Sequence, residues 1–336
     1  SAASDVYKRQ IAAADKLGIN YEIIVRSLLA RFEYKGKHWF IANTVTPLTN
    51  SPSSTIAKRK YLTNLILERD GIPVPKQAKI SDEKEAVAFF RKYKDIVIKP
   101  SQALGGHGVS ILPDTEDEIR KAYNYARENS KSSSTTKVLA EEFVHGDHYR
   151  FLVAGDEVVG IVRRVPAKVT GDGKNSIKDL IEIANIERKR NLLKPIPIDN
   201  QTVNKLDYLN LKLDSVPEVG QDVEVRFHAN LTAGGRTEEC SREVHDYYKE
   251  LCIKAVKSVG MDFGGVDLIT PDISKEAKCG INEINYNPGL RPHYKVSKGE
   301  VVDVAEKIMK YIMAVSYTHL RAHETVLDLV CRLLLE

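Results

Sequence analysis

A chain of 336 residues, 42% hydrophobic and 29% charged, has room for about two domains and excludes disordered, collagen-like and low-complexity descriptions of the whole. Fifty Lys+Arg against 46 Asp+Glu leave a formal charge of +4, which suits an anionic small ligand and is too dilute for a nucleic-acid-binding face. Four cysteines without a CxxC pair, no membrane-length apolar run and no signal-peptide series predict a cytoplasmic protein with reduced thiols and neither a membrane nor a nucleic-acid partner.

The two ends read differently from the body. Residues 1–10 and 314–336, the latter containing "SYTHLRAHETVLDLVCRLLLE", resemble translated sequencing-adapter read-through and are expected to be non-native segments with few contacts to the rest. The alternative is an ordinary amphipathic helix, since "TVLDLVCRLLLE" carries apolar residues at helical spacing. Between the ends, Ile11–Gly18 closes a helix, "YEIIV" is a strand, and "FEYKGKHWFIA" is a hairpin turning at Gly36. Asn43–Ser53 reads as a loop. Ser53 or Ser54 then caps one helix over "TIAKRKYLTNLILERD", stopped by Gly71. "IPVPK" opens a strand, followed by a helix over Asp82–Lys94, the strand "DIVIKP", a glycine loop, the strand "GVSIL" and a helix over Thr115–Asn129. After a Ser/Thr connector, "KVLAEEFV", "YRFLVAG" and "DEVVGIVRRV" alternate as antiparallel strands with a turn at Gly155 and Asp156. A capped helix starts at Ile177, and Glu187–Val203 reads as an extended surface loop. A helix ending at Gly260 precedes the strands "FGGVDLI" and "GINEINYN". No internal repeat is legible.

Neither a P-loop nor a dinucleotide fingerprint is present, so a nucleotide would have to be held by other means. Lys99 closes an apolar strand and is followed by Gly105, Gly106 and Gly108. Glycines let backbone amides approach phosphate oxygens, and the lysine adds a point charge, although a glycine turn beside a surface lysine gives the same pattern. Further on, Glu283 and Asn285 stand two apart in a strand and share a face, while Ile284 points inward. With Asp267 from a neighbouring strand they form an oxygen-rich cluster suited to Mg²⁺. Each reads alone as a strand-end surface residue, and their joint appearance after the lysine and glycine loop points to a metal–nucleotide site.

The ordered series "IAKRKYLT", "GIPVPK", "IVIKP…GGHGVSI", "VLAEEFVHGDHYRFLV", "RRVPAKVTGDGKNSI", "RFHANLTAGG", "GGVDLI" and "NEINYNPGLRPH" resembles the ATP-grasp ligases. It is most similar to the ATP-grasp module of cyanophycin synthetase, with bifunctional glutathione synthetases next, over about Ile11–Met313. The resemblance implies an α+β fold in which two α/β subdomains grip ATP between antiparallel sheets. Residues 11–54 would end a preceding region, 55–144 form the N-terminal subdomain with its glycine-rich lid, and 145–313 form the C-terminal subdomain with the metal site. Carried onto this sequence, Lys60 and Lys99 would contact the ATP phosphates, Gly105, Gly106 and Gly108 would form the lid, and Glu141, Glu142, Phe143 and Val144 would hold adenine through backbone groups. Asp267, Glu283 and Asn285 match the Mg²⁺ ligands, for two ions, with Mn²⁺ as the alternative metal. Arg226 and Arg291 resemble cationic catalytic groups beside the transferred phosphate or the substrate carboxylate, with Arg150 and Arg164 as secondary candidates. One position departs from the pattern: His148, after Asp147, stands where an acidic residue usually holds the ribose hydroxyls, and imidazole can also bond a hydroxyl.

The implied function is joining of an amino-acid or peptide carboxylate to an amine through an acyl phosphate, with release of ADP and phosphate and no covalent protein nucleophile. A kinase acting on a hydroxyl acceptor and a non-catalytic nucleotide-binding module are the alternatives. A homo-oligomer is compatible with the sequence.

Overall fold

The computed structural model describes residues 2–101, 108–130, 138–227, 229 and 231–315, with side chains from Tyr7 onward. Helix α1 (Ala2–Leu17) leads into an antiparallel meander of β1 (Asn20–Val25), β2 (Leu29–Tyr34) and β3 (Lys37–Ala42). The hairpin turns at Gly36 as its sequence predicts. Ala13 and Ala14 of α1, with Phe32, Trp39 and Ile41 of the meander, share one apolar cluster with Leu152, Phe263 and Ile308 from later in the chain. Of residues 1–10, for which few contacts are expected, Tyr7, Arg9 and Gln10 do contact the body. Tyr7 packs against this cluster, Arg9 lies 4.7 Å from the Tyr294 ring centroid, and Gln10, buried, donates to the Asn43 carbonyl at 2.9 Å. The physical reason is helical spacing: Gln10, Ala13 and Ala14 share the inward face of one continuous helix. Beyond residue 315 the C-terminal expectation lies outside the described residues.

The single helix expected after the loop is two helices, α2 (Ser51–Ala57) and α3 (Lys60–Arg69). Asn50, not Ser53, supplies the cap, its side chain accepting from the Ser53 amide at 2.9 Å. The Ser53 hydroxyl instead donates to the Gly260 carbonyl at 2.8 Å. Arg59, at φ −119° and ψ 89°, breaks the helix in front of Lys60. Next come β4 (Gln77–Ile80), α4 (Glu83–Tyr93), β5 (Ile96–Pro100), β6 (Ser110–Ile111), α5 (Glu116–Glu128) and β7 (Val138–Glu142). The four strands pair antiparallel in the order β4-β7-β5-β6, and α4 and α5 cover one face. Asp82 and Thr115 cap these helices from the positions the sequence assigns.

β8 (Asp147–Ala154), β9 (Glu157–Val165), β10 (Lys168–Thr170), α6 (Ile177–Arg190), α7 (Asn200–Tyr208), β11 (Asp222–Glu224), β12 (Arg236–Glu239), α8 (Asp246–Ser258), β13 (Phe263–Thr270), β14 (Gly280–Asn285) and α9 (Arg291–Tyr294) complete the named elements, with a further helix over residues 304–315. The loop expected over Glu187–Val203 is confined to residues 191–199: α6 runs to Arg190, and Asp199 caps α7 by accepting from the Gln201 and Thr202 amides. A five-stranded antiparallel sheet in the order β12-β9-β8-β13-β14 carries α8 on one face, with Tyr248 fully buried between them. β10, β11, α6 and α7 form a satellite with its own apolar cluster. Two antiparallel sheets with helices on their outer faces make the α+β architecture. No described helix is long and apolar enough to cross a membrane.

Candidate active site

Strand register assembles the predicted metal ligands. Asp267 stands opposite Glu283 in the β13/β14 pair and opposite Arg150 in the β8/β13 pair, while Gly265 stands opposite Asn285. Directly opposed residues share a face, so Arg150, Asp267, Glu283 and Asn285 line one side of the sheet. Phe151, Val266 and Ile284 point to the other side and join the core under α8. Gly265 keeps this row open, because a Cβ there would stand 2.6 Å from Pro288 and 3.3 Å from Arg150 Cδ. His148 and Arg164, opposed in the β8/β9 pair, extend the same face.

Asp267 is gripped from two sides. Arg150 donates to both carboxylate oxygens through Nε and Nη2, the latter at 2.9 Å, and Arg164 Nη1 reaches Oδ2 at 3.1 Å. Burial works to raise the Asp267 carboxyl, but Arg150, Arg164 and Lys60 outweigh it and hold the group below the usual carboxylate range. Burial likewise opposes the charge of Arg150, and Asp267 with Glu283 leaves it raised. Glu283 makes no hydrogen bond or ion pair among the described residues, and Asn285 Nδ2 is buried without a partner. His148 is held below its ordinary value by burial and by Arg164, so its imidazole is neutral at neutral pH.

The four-stranded sheet contributes the second wall. Ile96 and Ile98 enter the core beneath α4 and α5, so Val97 and Lys99 face away from it, as do Leu139, Glu141 and Gln77. Lys99 Nζ donates to Glu141 Oε2 at 2.5 Å, and Gln77 Nε2 donates to the same oxygen. Burial and the charge of Lys60 lower Lys99 against the pull of Glu141. In Glu141 the charges of Lys99 and Lys60 overcome burial and keep the carboxylate ionised. Lys60 therefore acts on Lys99, Glu141 and Asp267 together, and Glu283 acts on Lys99, so the two polar faces bound one cleft. The side-chain role of Glu141 was missed by sequence reasoning. Its signal is a charge at an alternating position of an otherwise apolar strand.

The remaining candidates divide. The amides of Glu142 and Phe143 are committed to the carbonyls of Lys76 and Asp95, at 2.8 and 2.9 Å, whereas the Val144 amide makes no hydrogen bond among the described residues. The Glu142 carboxylate pairs with Lys278 at 2.9 Å. Gly105 and Gly106 lie outside the described residues. Gly108 has φ +73°, and a Cβ there would stand 2.7 Å from both Asn129 Cβ and Pro100 Cγ. A Gly108→Ala variant should lose about 1–3 kcal/mol of unfolding free energy in a denaturant titration. Arg226 is not brought to the cleft residues: it bonds Asp199, Thr202 and Gln201 at the start of α7, although its Nε is buried without a partner. Arg291 opens α9, and its Nε is also buried and unpartnered.

Four cations of this cleft, Lys60, Lys99, Arg150 and Arg164, face three carboxylates, Glu141, Asp267 and Glu283. Among the described residues no three His, Cys, Asp or Glu are placed to hold a metal by themselves. The donor set, two carboxylates and an amide within an excess of positive charge, fits a hard cation shared with phosphate oxygens.

Residues 72–190 match the family described as prokaryotic glutathione synthetase, ATP-grasp domain, and residues 215–312 match the RimK-like ATP-grasp domain. The chain is 32% identical over 308 residues to a glutathione biosynthesis bifunctional protein of Listeria welshimeri, covering 88% of this chain and 39% of that protein. It is 35% identical over 264 residues to a cyanophycin synthetase of Crocosphaera subtropica, covering 76% and 30% respectively. The crystal structure of a bifunctional glutathione synthetase from Pasteurella multocida superposes with a TM-score of 0.67 at 27% identity, covering 94% of this chain and 45% of that one. The chain thus spans less than half the length of these relatives. The first matched stretch holds Lys99, Glu141–Val144, His148, Arg150 and Arg164, the second holds Asp267, Glu283, Asn285 and Arg291, and the chain belongs to the ATP-grasp family.

Proposed function

We propose that this chain is an ATP-dependent carboxylate–amine ligase, similar in class to cyanophycin synthetase, that joins an amino-acid or peptide carboxylate to an amine. The observation that carries the reading is the convergence of Lys60 and Lys99 on one wall with Asp267, Glu283 and Asn285 on the other. Lys60 and Lys99 bind phosphate oxygens, Lys99 exchanging its bond to Glu141 for one to the nucleotide. The Val144 amide is the open donor for the adenine ring, and the neutral His148 imidazole bonds a ribose hydroxyl. Asp267, Glu283 and Asn285 would hold Mg²⁺, two ions in this reading, and the metal would offset charge on the transferring phosphoryl oxygens.

The substrate carboxylate oxygen bonds to the γ-phosphorus as the bond to the β-phosphate oxygen breaks, which releases ADP. The amine nitrogen then bonds to the acyl carbon, loses a proton, and phosphate departs with the carboxylate-derived oxygen. Arg291, whose Nε–H is buried without a partner, is the donor we assign to the carboxylate and to the oxyanion of the tetrahedral species. The described cysteines do not serve as nucleophiles: Cys240, Cys252 and Cys279 are buried, and burial pushes the Cys240 thiol up to about 12.

The test is acyl-phosphate trapping. With ATP, Mg²⁺ and an amino-acid or peptide carboxylate but no amine, hydroxylamine should yield a hydroxamate together with ADP and phosphate, not AMP and pyrophosphate. Consumption of ATP with a hydroxyl acceptor, and no hydroxamate from any carboxylate, would replace this reading with a kinase.

A further inference from the structure

His293, which the proposed reaction does not use, is 2% exposed, yet its Nε2 is buried with no hydrogen-bond partner. An unpartnered buried nitrogen is costlier than an apolar side chain of the same bulk, so packing alone does not account for an imidazole here. The ring is held in place firmly. Thr237 Oγ1 donates to the Pro292 and Lys295 carbonyls on either side of it, at 2.9 and 3.0 Å. The Tyr294 hydroxyl bonds Asp303 at 2.7 Å and accepts from the Ala305 amide at 2.8 Å.

Its location is set by Gly160, where a Cβ would stand 3.2 Å from His293 Nδ1 and 2.6 Å from Val304 Cγ1. Gly160 is opposed to Leu152 on β8, and Val162, two residues along β9, is opposed to Arg150. His293 therefore lies over the same sheet face as Arg150, one pleat away, beside Val304 of the apolar cluster that contains Leu152. Arg150 is also the one charge that acts on the imidazole, adding to the effect of burial. Arg150 bonds both oxygens of Asp267, so rotation of that carboxylate toward a metal–nucleotide would break one arm of the bidentate contact. The released N–H then needs another acceptor.

We propose that His293 is a positioning residue for Arg150, its imidazole backing the guanidinium over Gly160 and its unpartnered nitrogen accepting the Arg150 N–H that Asp267 gives up. The inference rests on the ligase site proposed above, and it is tested without turnover. Exchange of the Arg150 guanidinium protons is followed by nitrogen-resolved NMR, assigned with R150K, in free protein and in protein loaded with MgADP. In H293L exchange should be about tenfold faster than wild type only in the MgADP-loaded protein, and H293Q, which returns a polar atom near the Nε2 position, should restore it. H293M replaces H293L if the latter does not fold. In hydroxamate formation H293L should lose kcat by about tenfold with KM for ATP nearly unchanged. Equal exchange in wild type, H293L and H293Q overturns the inference, as does a loss in H293L that H293Q does not recover. Failure of wild-type protein to form any hydroxamate would sink the ligase reading alone, because the MgADP measurement decides the role of His293 independently.

Discussion

Glu283→Gln should slow ADP release by about 100-fold or more while moving the unfolding midpoint by no more than about 2 °C. The contrast follows from what Glu283 does in the folded protein. It makes no ion pair among the described residues, so its neutralisation strips no buried cation of a direct partner. Its charge nevertheless acts on Lys99, Arg150 and Arg164, and it stands opposite Asp267 in the row proposed to face the nucleotide. The amide keeps the shape and loses the charge a hard cation requires. Calorimetry separates the two effects: ADP binding without Mg²⁺ should persist, and the gain in affinity that Mg²⁺ gives wild-type protein should shrink. Retained turnover would remove Glu283 from the metal site, and a large fall in the melting midpoint would give it a structural role instead.

The alignment of Asp267, Glu283 and Asn285 on one face was legible because it depends on strand alternation and pairing alone. Residues two apart in "NEIN" must share a face, and a neighbouring strand with one acid among apolar residues must present it to one side or the other. Lys99 was legible for the same reason, and so were the capped helices α4 and α5. What escaped depends on contacts distant in sequence. Asn50 wins the α2 cap because Ser53 finds a partner in Gly260, more than two hundred residues later. Arg226 carries the same charge wherever it points, and only the fold reveals that Asp199, Thr202 and Gln201 hold it at α7. Glu141 sits in a motif assigned to backbone recognition, and its side chain answers Lys99 through a diagonal across β5 and β7 that one strand cannot display. Arg150 and Arg164 ranked below Arg226 on sequence because a guanidinium on a strand is usually at the surface. Both bond Asp267 on the cleft face.

Asp267→Asn, at the residue opposite Glu283, should damage both stability and turnover. Asp267 and Arg150 are each about one-eighth exposed at the side chain, with values of 12% for both, and Arg164 shares the carboxylate. Removing one partner of a buried pair leaves an uncompensated charge, at a cost of about 3–5 kcal/mol. For a chain of this size that corresponds to a fall of about 4–7 °C in the melting midpoint. Acid reveals the same linkage. The folded-state Asp267 carboxyl is depressed, so its contribution is fully present above the unfolded-state value of about 3.9 and is lost as pH falls toward the folded one. The stability gap between wild type and D267N should accordingly be constant from neutral pH to about 5 and narrow below about 4, a trend that thermal melts across pH would read directly. A double variant, R150M with D267L, should recover much of the lost stability, since apolar replacement of a buried pair relieves desolvation. It should recover no ADP release, because the cleft would then lack both the carboxylate proposed to hold the metal and the guanidinium that grips it. Recovery of turnover in that double variant would show that the pair serves only the fold.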